Sequence, residues 1–243
     1  MTETDADADL AGPAATGSGP GAGPDAAGDD EPAIPAGGLS WGRVVAVVLV
    51  AAWFGGAVGW VLGNRSDDPG PGSVDAGFYL DMIAHHEQAV EMALVELARG
   101  DNAVVRSFAQ EVVIFQQYEI GRMDEALESW GLSRADRAEQ AMGWMGMPVA
   151  HDAMPGLATP EQMAELRQAE GSDADARFLE LMAEHHRGGV HMATYAADHA
   201  AEASVRDLAA LMARNQAVEI NEYRQTAERY DLDADIEPYP VTR

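Results

Sequence analysis

The sequence predicts an all-α protein, a ferritin-like four-helix bundle made from a duplicated helical hairpin and preceded by a transmembrane helix. Three observations predict it: an ungapped internal repeat at an offset of 100 residues, apolar residues at helical spacing within each copy, and a nineteen-residue uncharged run near the N-terminus.

Residues 1–40 are almost entirely Ala, Gly, Pro, Asp, Glu, Ser and Thr. Such a stretch buries too little apolar surface to offset its ordering entropy, and it reads as a disordered acidic segment. The uncharged run follows, from Val44 to Leu62, between Arg43 and Arg65 and with Trp41 and Trp60 near its ends. At 1.5 Å per residue it spans roughly 28 Å, about one hydrocarbon core, with the tryptophans suited to the two interfaces. Residues 41–63 are therefore expected to anchor the chain. A cleaved signal peptide is the rival reading, but its leader is normally basic and its apolar stretch shorter. One Arg on each side gives no orientation. Residues 64–73 are a linker of turn formers.

The bundle is expected over 74–230, with a short tail at 231–243. Its first helix covers 74–99, with Phe78, Met82, Ala89, Ala93 and Leu97 on one stripe, and Gly100 and Asp101 ending it. The second covers about 102–130 and stops at Gly131. A crossover at 131–158 is interrupted by Gly and Pro. Thr159, Pro160 and Gln162 then form a capping box with Pro at the first helical position, and a short helix is expected to run from there to Gly171. Residues 175–220 repeat 75–120: Asp75/Asp175, Phe78/Phe178, Met82/Met182, His85/His185, His86/His186, Met92/Met192, Gln116/Gln216 and Glu119/Glu219 are identical pairs. Two hairpins joined by a long connection make a bundle whose crossover can run its full height.

Charge and composition narrow the function. The chain has 41 Asp plus Glu against 15 Arg and no Lys, a net charge of −26, so it repels phosphates and nucleic acid is not expected as a partner. It has no cysteine, which removes disulfides, thiolate zinc sites and iron–sulfur clusters. Soft-metal chemistry must come from Met and His. Nothing resembles a phosphate loop, a nucleophile elbow or a zincin motif.

The chemistry sits in the repeat. Met82, His85, His86 and Met92, with Met182, His185, His186 and Met192, lie on the apolar stripes of the two first helices. A level hairpin register sets His85 opposite Gln116 and Met82 opposite Glu119, and likewise His185 opposite Gln216 and Met182 opposite Glu219. These four polar residues would surround the His layer. Di-iron bundles carry Glu-x-x-His on this face, whereas here the spacing reads Met-x-x-His, a donor set for Cu(I) in preference to iron or zinc. The bland alternative is a structural His network satisfied by Gln and Glu. The crossover adds Met142, Met145, Met147, His151 and Met154, read either as core filler or as a second, mobile copper site.

The doubled F-x-x-x-M-x-x-H-H-x-x-x-V-x-M-A pattern, with Thr159-Pro160-Glu161-Gln162 before its second copy, resembles the bacterial family labelled domain of unknown function 305. The resemblance implies a ferritin-like bundle, usually exported, with members that bind copper. It marks His85, His86, Met92, His185, His186 and Met192 as the matching positions, and the Met-rich crossover as an extra site. Gly188-Gly189 in place of Gln88-Ala89 departs from exact duplication. The expectation is a single-pass cell-membrane protein, bundle outside the cytoplasm, that binds copper as Cu(I) and is not an enzyme. The alternatives are a helical scaffold or partner-binding module, and a di-metal redox enzyme.

Overall fold

The computed structural model describes residues 40–63 and 68–240. Residues 1–39 of the acidic segment, residues 64–67 of the linker and the last three residues of the tail lie outside them. Six α-helices and no strands occur among the described residues: α1 (Trp41–Gly63), α2 (Val74–Arg99), α3 (Ala103–Ser129), α4 (Pro160–Gln168), α5 (Ser172–His199) and α6 (Ala203–Tyr230). The chain divides into two units, 1–61 and 62–243.

In the first unit, α1 is long and apolar enough to cross a membrane. Val47, Leu49, Trp53 and Phe54 are exposed along it. An apolar helix with no protein face to bury suits a lipid environment.

In the second unit, α2 packs on α3, α5 packs on α6, and the two hairpins meet through α2 and α5. The helix starts are set by caps: Ser73 accepts from the Ala76 N–H at 3.1 Å, and Asn102 from the Val104 N–H at 2.9 Å. A second kind of cap joins the hairpins. The Asp75 carboxylate, at the start of α2, accepts the N–H groups of Ala201 and Glu202 at 3.0 and 2.7 Å, where α6 begins. Asp175, at the start of α5, accepts the N–H of Asn102 at 3.0 Å, where α3 begins. Each hairpin thus caps the turn of the other, which requires α2 and α5 to run antiparallel. Both carboxylates are buried, and their negative charge suits a helix N-terminus.

This arrangement forces a full-height crossover. The chain leaves α3 at Trp130, which stacks on Tyr79 near the start of α2, and reaches Gly171, whose N–H donates to Arg99 O at the other end. The sequence stops the short helix at Gly171, but α4 ends at Gln168 and Gly171 instead precedes α5 with φ +59°. Glycine tolerates that angle, so it turns the chain into α5 rather than out of α4. The Thr159 capping box forms as its residues dictate.

Two side chains absent from the second copy hold the crossover. Asp81, where the second copy has Leu181, accepts from Arg137 Nε at 3.0 Å, Met142 N at 2.7 Å and Trp144 Nε1 at 2.8 Å. Gln88 makes a reciprocal pair with the Ala158 main chain, at 2.9 and 2.7 Å. The copy of Gln88 is Gly188, where a Cβ would stand 1.9 Å from Pro155 O. The close approach at this glycine is therefore to the crossover's backbone. Beyond α6, Ile236 is buried and Asn221 pairs with the main chain of Tyr239, so the tail to residue 240 lies against the bundle.

Candidate metal centre

His85, His86, His185 and His186 are all buried where α2 crosses α5. The His85 and His185 rings lie 3.7 Å apart between centroids, tilted by 34°. His185 Nε2 donates to His85 O at 2.9 Å, and His85 Nε2 donates to Pro155 O in the crossover at 3.2 Å. The outer pair turns towards the flanking helices. His86 Nε2 meets Glu119 of α3 at 2.9 Å, and His186 Nε2 meets Glu219 of α6 at 2.6 Å, with the Tyr223 hydroxyl 3.3 Å away.

The expected register is thereby corrected. Level pairing set Glu119 against Met82 and Glu219 against Met182, but each carboxylate meets a histidine one turn further along. Gln116 and Gln216 stay buried beside the layer, Gln216 with its Oε1 against Gly189. The methionines are also corrected. Met82 and Met192 lie in one apolar cluster and Met92 and Met182 in the other, one cluster on either side of the histidines. Ten residues separate Met82 from Met92, about 15 Å of helix, which one ion cannot bridge.

Most of the crossover methionines pack into the core. Met142, Met145 and Met154 are buried in the cluster that holds Met82 and Met192, while Met147 is exposed and His151 only half-buried, so the five do not form one site. That cluster also takes Met123, which the spacing of the second helix already puts on its apolar stripe, and Met212, which sequence reasoning missed. Both sit on the apolar stripes of α3 and α6, and that periodicity was the available signal. Asp81 and Gln88 were missed too. Their signal was a polar residue on a stripe where the other copy has Leu or Gly.

The electrostatics keep the inner pair neutral. Burial, and next the neighbouring His86, hold His85 down to about 3. Burial and then His85 hold His185 well below the usual range. For Glu219, burial works upward, but the His186 hydrogen bond and charge outweigh it and the carboxyl is lowered. With each Nε2 facing an oxygen acceptor, the ring proton is assigned to Nε2. All four Nδ1 atoms are buried without a partner, which in the neutral rings of His85 and His185 leaves each a bare lone pair. An orphaned buried acceptor costs about 1–3 kcal/mol.

Among the described residues, no group of three or more His, Asp or Glu is placed to hold an ion. The donors of the layer are the neutral imidazoles of His85 and His185, with the thioethers of the two clusters beyond, which fit a soft ion. The Glu119 and Glu219 carboxylates are taken up by His86 and His186.

The sequence model of the domain of unknown function DUF305 matches residues 75–227. In structure, the chain is similar to a DUF305 protein from Streptomyces coelicolor, with 34% identity and a TM-score of 0.64, over 69% of this chain and 100% of that one. A DUF305 fragment from Deinococcus radiodurans aligns at 28% identity and a TM-score of 0.55, over 64% of this chain and 96% of that one. CopM in a Cu(I)-bound form aligns at 22% identity and a TM-score of 0.48, over 64% and 96%, a distance at which no ligand is carried across. No curated protein matches the chain significantly.

Proposed function

The chain belongs to the DUF305 family, and from that premise we propose that it is a membrane-anchored copper-binding protein that takes Cu(I) at the His layer and acts by binding rather than by catalysis. One observation carries the reading: four buried imidazoles whose Nδ1 atoms have no partner, in a cysteine-free core rich in methionine. His85 and His185 are the first candidates for ligands. They are already neutral, so no proton must leave before a metal arrives. His86 and His186 are held by Glu119 and Glu219, the carboxylate–imidazole arrangement that orients a ligating ring. Met82 and Met192 in one flanking cluster, and Met92 and Met182 in the other, are the candidate thioether donors. A soft, polarizable ion gains from such donors, and a hard one gains little.

On this reading α1 anchors the bundle outside the cytoplasm, where it would sequester or deliver copper. Protease added to intact cells should then remove the bundle. A second reading, a structural His network, is favoured by the oxygen acceptor that every Nε2 has. Purifying the chain and comparing Cu(I) and Ag(I) with Fe(II) and Zn(II) separates the two. Preference for the soft ions supports the metal site, and no binding of any ion supports the network.

A further inference from the structure

Helices α3 and α6 flank the hairpin contact and barely touch each other. Between them lies a cavity of about 310 Å³, walled by Phe108, Phe115, Tyr118, Leu211, Met212 and Tyr223. Phe115 and Tyr118 are 60% and 64% exposed, so both side chains are largely open to solvent. The same cavity is lined by the carboxylates of Glu111, Glu119 and Glu219, against one basic side chain, Arg122. Negative potential accumulates here. Burial, and then the Glu219 and Glu111 carboxylates, push the neighbouring Glu222 upward. Arg122 already stands over the Tyr118 ring, 6.0 Å from its centroid, so the wall holds one cation on an aromatic face.

We propose that this cavity binds a small aromatic ammonium ion, its charge among the carboxylates and its ring against Phe115 and Tyr118. Charge complementarity selects that occupant. A second copy of the chain would bring the same carboxylates to the same face, and a lipid phosphate or a nucleic acid would be repelled. A neutral apolar molecule would leave the carboxylates unused. The volume lies at the small-ligand end of the usual range, which suits an organic cation better than a helix. The cavity shares Glu119 and Glu219 with the His layer, but Glu111, Phe115 and Arg122, the residues changed in the test, are not hydrogen-bonded to its histidines, so failure here and failure of the metal reading are distinguishable.

The test is calorimetric titration of the full chain in lipid nanodiscs, empty discs subtracted, with benzyltrimethylammonium and with the uncharged N,N-dimethylbenzamide. One saturable site is expected for the cation, with the neutral compound weaker by about tenfold or more. Glu111→Gln and Phe115→Ala should each weaken the cation by about tenfold at unchanged helix content, and Arg122→Ala, which removes the resident cation, should tighten it. Equal binding of the neutral compound, or of the cation by both weakening variants, overturns the proposal. So does self-association of the chain through this face, or capture of a basic amphipathic peptide without binding of the small cation.

Discussion

His185 Nε2 donates to the carbonyl oxygen of His85 at 2.9 Å, while the two ring centroids stand 3.7 Å apart, so the middle of α2 rests on the middle of α5. The relationship is not mutual. His85 turns to Pro155 of the crossover instead. The crossover is the part of the bundle that has no copy, and it is what breaks the symmetry of the histidine pair.

The pH dependence of the metal-free chain follows from two buried sites. Burial, then the adjacent Asp175 carboxylate, push Glu96 up to about 8, so the folded state holds a proton that the unfolded chain has lost. That contribution is whole below pH 4.5 and is lost as pH rises towards 8. His85, held down to about 3, works the other way: its contribution is whole above pH 6.5 and is lost as pH falls towards 3. Between pH 6.5 and 8 only the first operates, and urea midpoints should fall as pH rises there. Glu96→Gln should flatten that limb and leave the acid limb in place.

Gly188→Ala should destabilise the bundle by about 1–3 kcal/mol, because its Cβ would meet the Pro155 backbone, which cannot rotate away. Gly189→Ala should fall within about 1 kcal/mol of the wild type, since its Cβ meets only the end of the Gln216 side chain and alanine gains helix propensity. Urea denaturation of the two variants side by side checks the contrast. Equal costs would remove the crossover as the reason for this glycine.

Asp75→Ala should cost about 1–3 kcal/mol by leaving the N–H groups of Ala201 and Glu202 without their carboxylate. Asp175→Ala removes the equivalent cap and also the acceptor that holds Glu96 in its protonated form, so it should cost at least as much. The order of the two urea midpoints decides the point.

Asp81→Ala should release the crossover rather than unfold the helices. It loses the bonds from Arg137, Met142 and Trp144 together. Limited proteolysis should then cut within 131–158 several times faster at unchanged helix content, and Trp144 fluorescence should shift to the red.

The bundle was legible because the repeat and the apolar stripes act locally. Phe78, Met82 and His85 fall on one face of α2 by spacing alone, and their copies do so on α5. Caps such as Thr159 with Gln162 were legible for the same reason. The antiparallel meeting of α2 and α5 was not, since the Asp75 and Asp175 caps that fix it act between residues more than 70 positions apart. The His–Glu pairing was off by one turn because helix tilt and side-chain reach, not backbone level, decide which carboxylate meets His86. The methionines were read as one face. A face in two dimensions became two clusters once the histidines occupied the middle.

The most direct test of the central claim is titration of the full chain with Cu(I) against a competing chelator, alongside the paired variant His85→Asn, His185→Asn. The account predicts tight binding by the wild type and a loss of about hundredfold or more in the variant, with helix content nearly unchanged. Full affinity in a folded variant would contradict it, and unfolding of the variant without any Cu(I) binding by the wild type would mark the histidines as structural.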